Sequence, residues 1–200
     1  MADLLVLGTD TDAGKTTFAL LWLAAFADGY EYWKPVETGD SDSDRVKALV
    51  PTAHLHQPLA RFGAAVAPPL AARLDGATIP PAVAIASARP APGAPGRHLL
   101  IETFGGPLSP LNEEELQIEV VRALRIPAVL VTSSSVGAVG RSLQCLAALA
   151  SHGVRPAAVV LVGHPDGYAA EQIGRHWPSV KVFSLRPPDA WDAEGVGRAA

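Results

Sequence analysis

The stretch Gly8-Thr9-Asp10-Thr11-Asp12-Ala13-Gly14-Lys15-Thr16-Thr17 follows the apolar run Leu4-Leu5-Val6-Leu7 and opens into a helix-like run over 18–27. No other feature limits the fold so strongly. Strand, glycine-bearing loop and helix start, in that order, form the setting of a phosphate-binding loop. In such a loop the backbone N–H groups of the turn point at an anion, and the helix dipole adds a fixed partial positive charge there. Lys15 is expected to reach the β- and γ-phosphates of a nucleotide, and the Thr16 hydroxyl to ligate Mg²⁺. Asp12, Ala13, Gly14 and Thr17 complete the expected nucleotide-binding set, with Gly14 allowing a close backbone approach. The loop departs from the common G-x-x-x-x-G-K-[ST] pattern: its first glycine is Gly8, and Thr9 stands where that pattern has glycine.

Downstream, short apolar runs alternate with helical patterns. The strand-like runs lie at 30–33, 98–101, 127–131, 157–162 and 180–183. Helical patterns cover 70–74, 82–88, 112–124, 141–150 and 169–175, with a helix N-terminus expected at or near Asp44, and residues from Pro187 onward read as loop and tail. Six strands alternating with helices predict an α/β fold, a mostly parallel sheet with helices on both faces, spanning residues 1–200 as one domain. Right-handed crossovers then bring the strand carboxyl ends to one edge. The loops at 8–17, 34–44, 102–106, 132–140 and 163–166 all fall on that edge, where open α/β sheets bind ligands.

Composition closes off other classes. With 200 residues, 48% of them apolar, the chain can bury a proper core, and its net charge of −4 offers no basic footprint for nucleic acid. No long uncharged apolar run predicts a membrane span, and no targeting segment is expected ahead of Asp3. Cys145 stands alone among apolar neighbours, which points to a buried structural thiol and a cytoplasmic setting. His54-x-His56 is the one close pair among six histidines, and no further ligand lies nearby in sequence to make it a metal site.

The loops together resemble those of the dethiobiotin synthetases, ATP-dependent enzymes of biotin synthesis in the P-loop NTPase superfamily. That family's modified loop, G-T-D-T-[DE]-x-G-K-T, is matched over 8–16, and its K-P-V-x-[ST]-G segment by Lys34-Pro35-Val36-Glu37-Thr38-Gly39. Its acidic residue ahead of the next helix is matched by Asp44, and its V-E-G-A-G-G turn, less closely, by residues 101–106. The resemblance implies a cyclo-ligase reaction: 7,8-diaminopelargonate takes up CO₂ as a carbamate, ATP phosphorylates it, and the second amine closes the ring to dethiobiotin. It implies that Lys34 and Lys15 are catalytic, and that Thr16, Asp44 and Glu102 hold Mg²⁺. Asp44, Gly163, His164 and Pro187 would join the nucleotide site. Thr38, Gly137, Ala138 and Val139 would receive the substrate, the last three across a homodimer.

The chain also departs from the pattern. Thr103-Phe104 replaces Gly-Ala and is expected to crowd the turn after Glu102. The segment Val136-Gly137-Ala138-Val139-Gly140-Arg141 lacks the family's Asn-His, and Gly163 stands where an adenine-reading Asn is common. Two other classes stay open. One is a related P-loop enzyme ligating or amidating a different substrate, which needs a glutaminase partner. The other is a non-enzymatic nucleotide switch, which usually carries a second lysine early in the loop, whereas residues 9–13 contain none.

Overall fold

The computed structural model describes residues 2–200. Strands β1 (Leu4–Gly8), β2 (Tyr30–Trp33), β4 (His54–Leu55), β6 (His98–Glu102), β7 (Ala128–Ser133), β8 (Ala158–Val162) and β9 (Lys181–Leu185) form a seven-stranded sheet in the order β4-β2-β6-β1-β7-β8-β9. Its strand pairs are parallel throughout. The chain leaves β1 for β2, returns to β6 beside β1, and then continues on the other side through β7. The order therefore reverses at β1, and the crevice beyond the ends of β1, β6 and β7 is the ligand position of such sheets.

Every residue of β1 is buried, so the strand packs on both faces. Strand periodicity of two sorts its side chains: Leu5 and Leu7 enter one core, Leu4 and Val6 the other. Helices α3 (Pro68–Leu74), α4 (Ala82–Ser87), α5 (Gln117–Leu124), α6 (Ala138–Ser151) and α7 (Gly167–His176) cover the first face. Helices α1 (Lys15–Ala25), α2 (Asp42–Leu49) and α8 (Ala193–Ala199) cover the second. Burying each large aliphatic side chain in these two layers stabilises the fold by about 1.5–3 kcal/mol. Helix α1 buries Phe18, Ala19, Leu20, Leu21 and Leu23, close to a full turn of its surface, because it lies between the sheet and α8.

Several elements differ from the sequence reading. The Lys-Pro-Val segment contains a three-residue strand, β3 (Val36–Thr38), paired with β5 (Ala60–Phe62) in a small second sheet. Helix α5 starts at Gln117 instead of 112. The Asn112 side chain accepts from the N–H groups of Glu114 and Glu115, and a Pro110–Leu116 bridge closes that turn before the helix begins. The segment after Pro187 contains α8, capped by Asp192, whose carboxylate accepts from the Gly195 N–H at 2.7 Å. Gly195 and Gly197 are poor helix formers, and packing of the fully buried Val196 overrides them.

Candidate active site

The phosphate-binding loop runs from the end of β1 to the start of α1. Gly14 caps α1 with φ 94°, a left-handed conformation, and a Cβ there would lie 2.9 Å from the Val162 side chain. The early glycine has an equally local cause. A Cβ on Gly8 would lie 2.7 Å from the Lys15 ammonium and 2.8 Å from the Gly105 carbonyl. Lys15 folds back over the loop at this point, donating to the carbonyls of Asp10 at 2.8 Å and Thr11 at 3.0 Å. It is 4% exposed, and burial, with Lys34 nearby, lowers its pKa to about 8 against the pull of Glu102 and Asp42.

Beside the loop lies a compact polar cluster. The Thr16 hydroxyl is 2.7 Å from Asp42 Oδ1 and 2.9 Å from Glu102 Oε1. The Lys34 ammonium donates to Glu102 Oε1 at 3.0 Å and to Asp42 Oδ2. Tyr32 donates to the other oxygen of Glu102 at 3.0 Å. Glu102 is fully buried, so every one of these partners offsets its desolvation. Burial alone would lower the pKa of Lys34, but Glu102 and Asp42 outweigh it and raise the value to about 12. Burial likewise opposes ionisation of Asp42, and Lys34 together with Thr16 reverses that and lowers its pKa.

Asp42, then, occupies the place that the sequence reading assigned to Asp44. The cause is the register of α2. Ser41 is its N-cap, accepting from the Asp44 N–H at 3.1 Å, which puts Asp42 first in the helix. Asp44 points outward and pairs with Arg61. The start of α2 is anchored from below by Glu37, 1% exposed, which accepts from the Ser41 hydroxyl, the Ser43 N–H and the Ser43 hydroxyl.

These groups face a cavity of about 600 Å³. Thr11, Asp12, Gly14, Lys15, Thr16 and Thr17 line one side, Lys34, Thr38 and Asp42 another, and Glu102, Phe104, Gly105 and Ser109 a third. Ala13 is buried beneath the loop. Thr103 relieves the expected crowding by turning inward, where its hydroxyl donates to the Val6 carbonyl at 3.0 Å. Phe104 packs partly on the core. Gln117, 1% exposed, accepts from the Phe104 N–H and donates to the Gly106 carbonyl, bracing the Gly-Gly turn. Sequence reasoning passed over Glu37, Gln117 and also Arg45, which lines the cavity while stacking 4.7 Å over the Trp191 ring.

The remaining expected residues lie away from that lining. Gly137 caps α6 at φ 90° and is exposed, Ala138 is buried, and Val139 packs on the core. Arg141 turns back to donate to the carbonyls of Val136 at 2.8 Å and Ser133 at 3.1 Å. Gly163 follows β8 with φ 135°, and a Cβ there would collide with the Ser134 hydroxyl. His164 is exposed and Pro187 half-buried beyond the ends of β8 and β9.

A family model described as an AAA domain matches residues 2–186. The ATP-dependent dethiobiotin synthetase of a Bradyrhizobium species is 39% identical over 179 residues, covering 86% of this chain and 81% of that protein. The corresponding enzyme of Paramagnetospirillum magneticum is 33% identical over 191 residues, covering 94% of this chain and 89% of its own. Among solved structures, HypB of Helicobacter pylori superposes with a TM-score of 0.53 at 17% identity, covering 98% of this chain and 82% of that one. A ParA family ATPase of Chlorobium tepidum gives 0.51 at 12% identity, covering 98% and 96%. At such identities these two bear on the fold alone. Among the described residues, no helix is long and apolar enough to cross a membrane.

Proposed function

Since the chain belongs to the ATP-dependent dethiobiotin synthetase family, we propose that it forms dethiobiotin from 7,8-diaminopelargonate, CO₂ and ATP, all within one P-loop domain over 1–200. One amine of the diamine adds to CO₂ and loses a proton, giving a carbamate. A carbamate oxygen attacks the γ-phosphorus and expels ADP, giving a carbamic-phosphoric anhydride. The second amine attacks its carbonyl, loses a proton, expels phosphate and closes the cyclic urea. No step needs a covalent bond to the protein, so the chain works by positioning and charge.

The observation that carries this reading is the buried Lys34 ammonium, set between Asp42 and Glu102 on the wall of the cavity that the phosphate loop enters. With its pKa raised to about 12, Lys34 stays a cation at working pH. Its role is therefore to stabilise negative charge on the carbamate and the transferring phosphate, and to disfavour an ammonium on the substrate amine. Lys15 and the loop amides hold the phosphates beside Asp12 and Thr17. The Thr16 hydroxyl and the Asp42 and Glu102 carboxylates form an all-oxygen donor set that suits a hard cation, and they would hold Mg²⁺. Bound there, the ion would neutralise charge on the phosphate oxygens. Thr38 is assigned to the substrate amines.

In the same reading the enzyme is a cytoplasmic homodimer with no nucleic-acid or membrane partner. Residues Gly137, Ala138 and Val139 receive the substrate carboxylate from the neighbouring subunit. Gly163, His164 and Pro187 border the base, and because Gly163 has no side chain, adenine is read weakly. The test is phosphate release with and without diamine and bicarbonate, with the product mass measured. Release that depends on both, with a product of dethiobiotin mass, is expected. Phosphate release indifferent to the diamine, with no such product, overturns the reading.

A further inference from the structure

At the far edge of the sheet, away from the phosphate loop, Glu31 is 1% exposed. It sits on β2, in parallel register with His54 of the edge strand β4. Two residues on, the His56 N–H donates to the Tyr32 carbonyl at 2.9 Å, which keeps the chain alongside β2. The strand period of two puts His54 and His56 on the same side, and their rings lie 5.1 Å apart. Both rings face the Glu31 carboxylate. Its Oε2 is 2.7 Å from His56 Nε2 and 3.9 Å from His54 Nε2. One ligand atom from each of the three lies within 4.8 Å of the others.

We propose that Glu31, His54 and His56 bind a divalent transition-metal ion of the Zn²⁺ class at the sheet edge, separate from the oxygen set beside the phosphate loop. Bonds of about 2.0–2.1 Å at tetrahedral angles put donor atoms about 3.3 Å apart. The two distances to Oε2 bracket that value. His54, with 54% of its side chain exposed, has room to close the gap. A simple ion pair explains His56 but leaves His54 without a role, since its Nε2 is beyond hydrogen-bond range of the same oxygen.

The carboxylate is also oriented from behind, as metal-binding carboxylates are. The Gly93 N–H donates to both oxygens at 3.0 Å, and Arg97 approaches Oε1 at 3.7 Å. A Cβ on Gly93 would lie 3.3 Å from Oε1, so a glycine lets the connector come this close. Two imidazoles and one carboxylate favour Zn²⁺ or its neighbours over Mg²⁺. Three protein donors leave a fourth position to water. The bound ion would tie β4, a two-residue edge strand, to β2 and to the connector.

The test is Zn²⁺ titration of the full chain by calorimetry in excess Mg²⁺, which occupies the oxygen set, followed by thermal melting. One Zn²⁺ per chain is expected, with a higher melting temperature that millimolar Mg²⁺ does not reproduce. His54→Ala and His56→Ala should each weaken binding at least tenfold and remove the Zn²⁺-dependent rise. His54 is half-exposed, so its variant folds and isolates the metal from the Glu31–His56 pair. No Zn²⁺ uptake by the natural chain, or uptake equally tight in His54→Ala, overturns the proposal.

Discussion

Two buried lysines share one cavity, and their surroundings shift their pKa values in opposite directions. Lys15, lowered to about 8, has a native pKa below its usual 10.5. Between those values the unfolded chain binds more protons, so this group makes the nucleotide-free protein gain stability as pH rises through that window. A bound phosphate favours the charged form. ATP binding near pH 8.5 should therefore take up a proton, read by calorimetry in buffers of different ionisation heat. Lys15→Ala should abolish that uptake and lose about 1.5–3 kcal/mol of ATP affinity. Binding without proton exchange would reject the shift. Lys34 is the reverse case, and its contribution is fully present below 10.5 and lost as pH rises through about 12. Lys34→Ala leaves Glu102 and Asp42 uncompensated. It should lose turnover and about 3–5 kcal/mol of stability in metal-free protein, part of it restored by Mg²⁺. An unchanged melting temperature would show that the pair of carboxylates does not need this cation. The third residue question is Asp42 against Asp44. Asp42→Asn should raise the Mg²⁺ needed for half-maximal turnover at least tenfold, and Asp44→Asn should leave it within about twofold, since Asp44 only pairs with Arg61 at the surface. The reverse ranking would return the role to Asp44. The sequence held a usable signal here: Ser41-x-x-Asp44 is the spacing of a helix cap and its third residue, which makes Asp42 the first helical position.

At the scale of elements, what was legible followed from strong local pattern. The fully buried strands read clearly as apolar runs, and the glycine loop into α1 read from its spacing. The short pieces did not. β3, β4 and β5 have two or three residues each, too few for alternation to register, and Pro35 and Gly39 mark the surroundings of β3 as loop. α8 was hidden by its glycines and is held in place by Asp192 and by contact with α1. Of the site, the phosphate loop, Lys34 and Glu102 were visible because each ends or follows a strand. Glu37, Gln117 and Arg45 were not: Gln117 and Arg45 act on other segments of the chain, and Glu37 lies in a stretch that read as loop. Glu37 illustrates why such a buried support matters to chemistry. It fixes the first turn of α2, and so Asp42, by satisfying three donors on Ser41 and Ser43. Glu37→Ala leaves the buried Ser43 N–H unpaired, at about 1–3 kcal/mol. The variant should melt lower and also need more Mg²⁺ for turnover. A lower melting temperature with an unaltered Mg²⁺ requirement would separate the anchoring of α2 from the site.

For the molecule as a whole, alternation of strands and helices foretold a parallel sheet, but not the strand order that puts β1 at the reversal, nor β4 at the edge. Order depends on which faces can be covered, and that is settled by packing between remote helices. The same limit applies to assembly. The loop between β7 and α6 is held as a firm ledge by Arg141, whose guanidinium binds the carbonyls of Ser133, Ser135 and Val136. Arg141 is thus hydrogen-bonded within its own loop to neutral oxygens only, so its full charge stays there and adds to the partial positive charge at the N-terminus of α6. At the tip of the ledge Val136 is 99% exposed, an apolar side chain on a rigid mount. If a neighbouring copy covers it, light scattering should find a dimer, and Val136→Asp should shift the chain toward monomer. That variant should lose diamine-dependent turnover through a raised KM for the diamine, while ATP binding persists, because the phosphate loop lies wholly within one chain. A fully active monomer would contradict the shared substrate site. A dimer that survives Val136→Asp with unchanged KM would put the interface on another face.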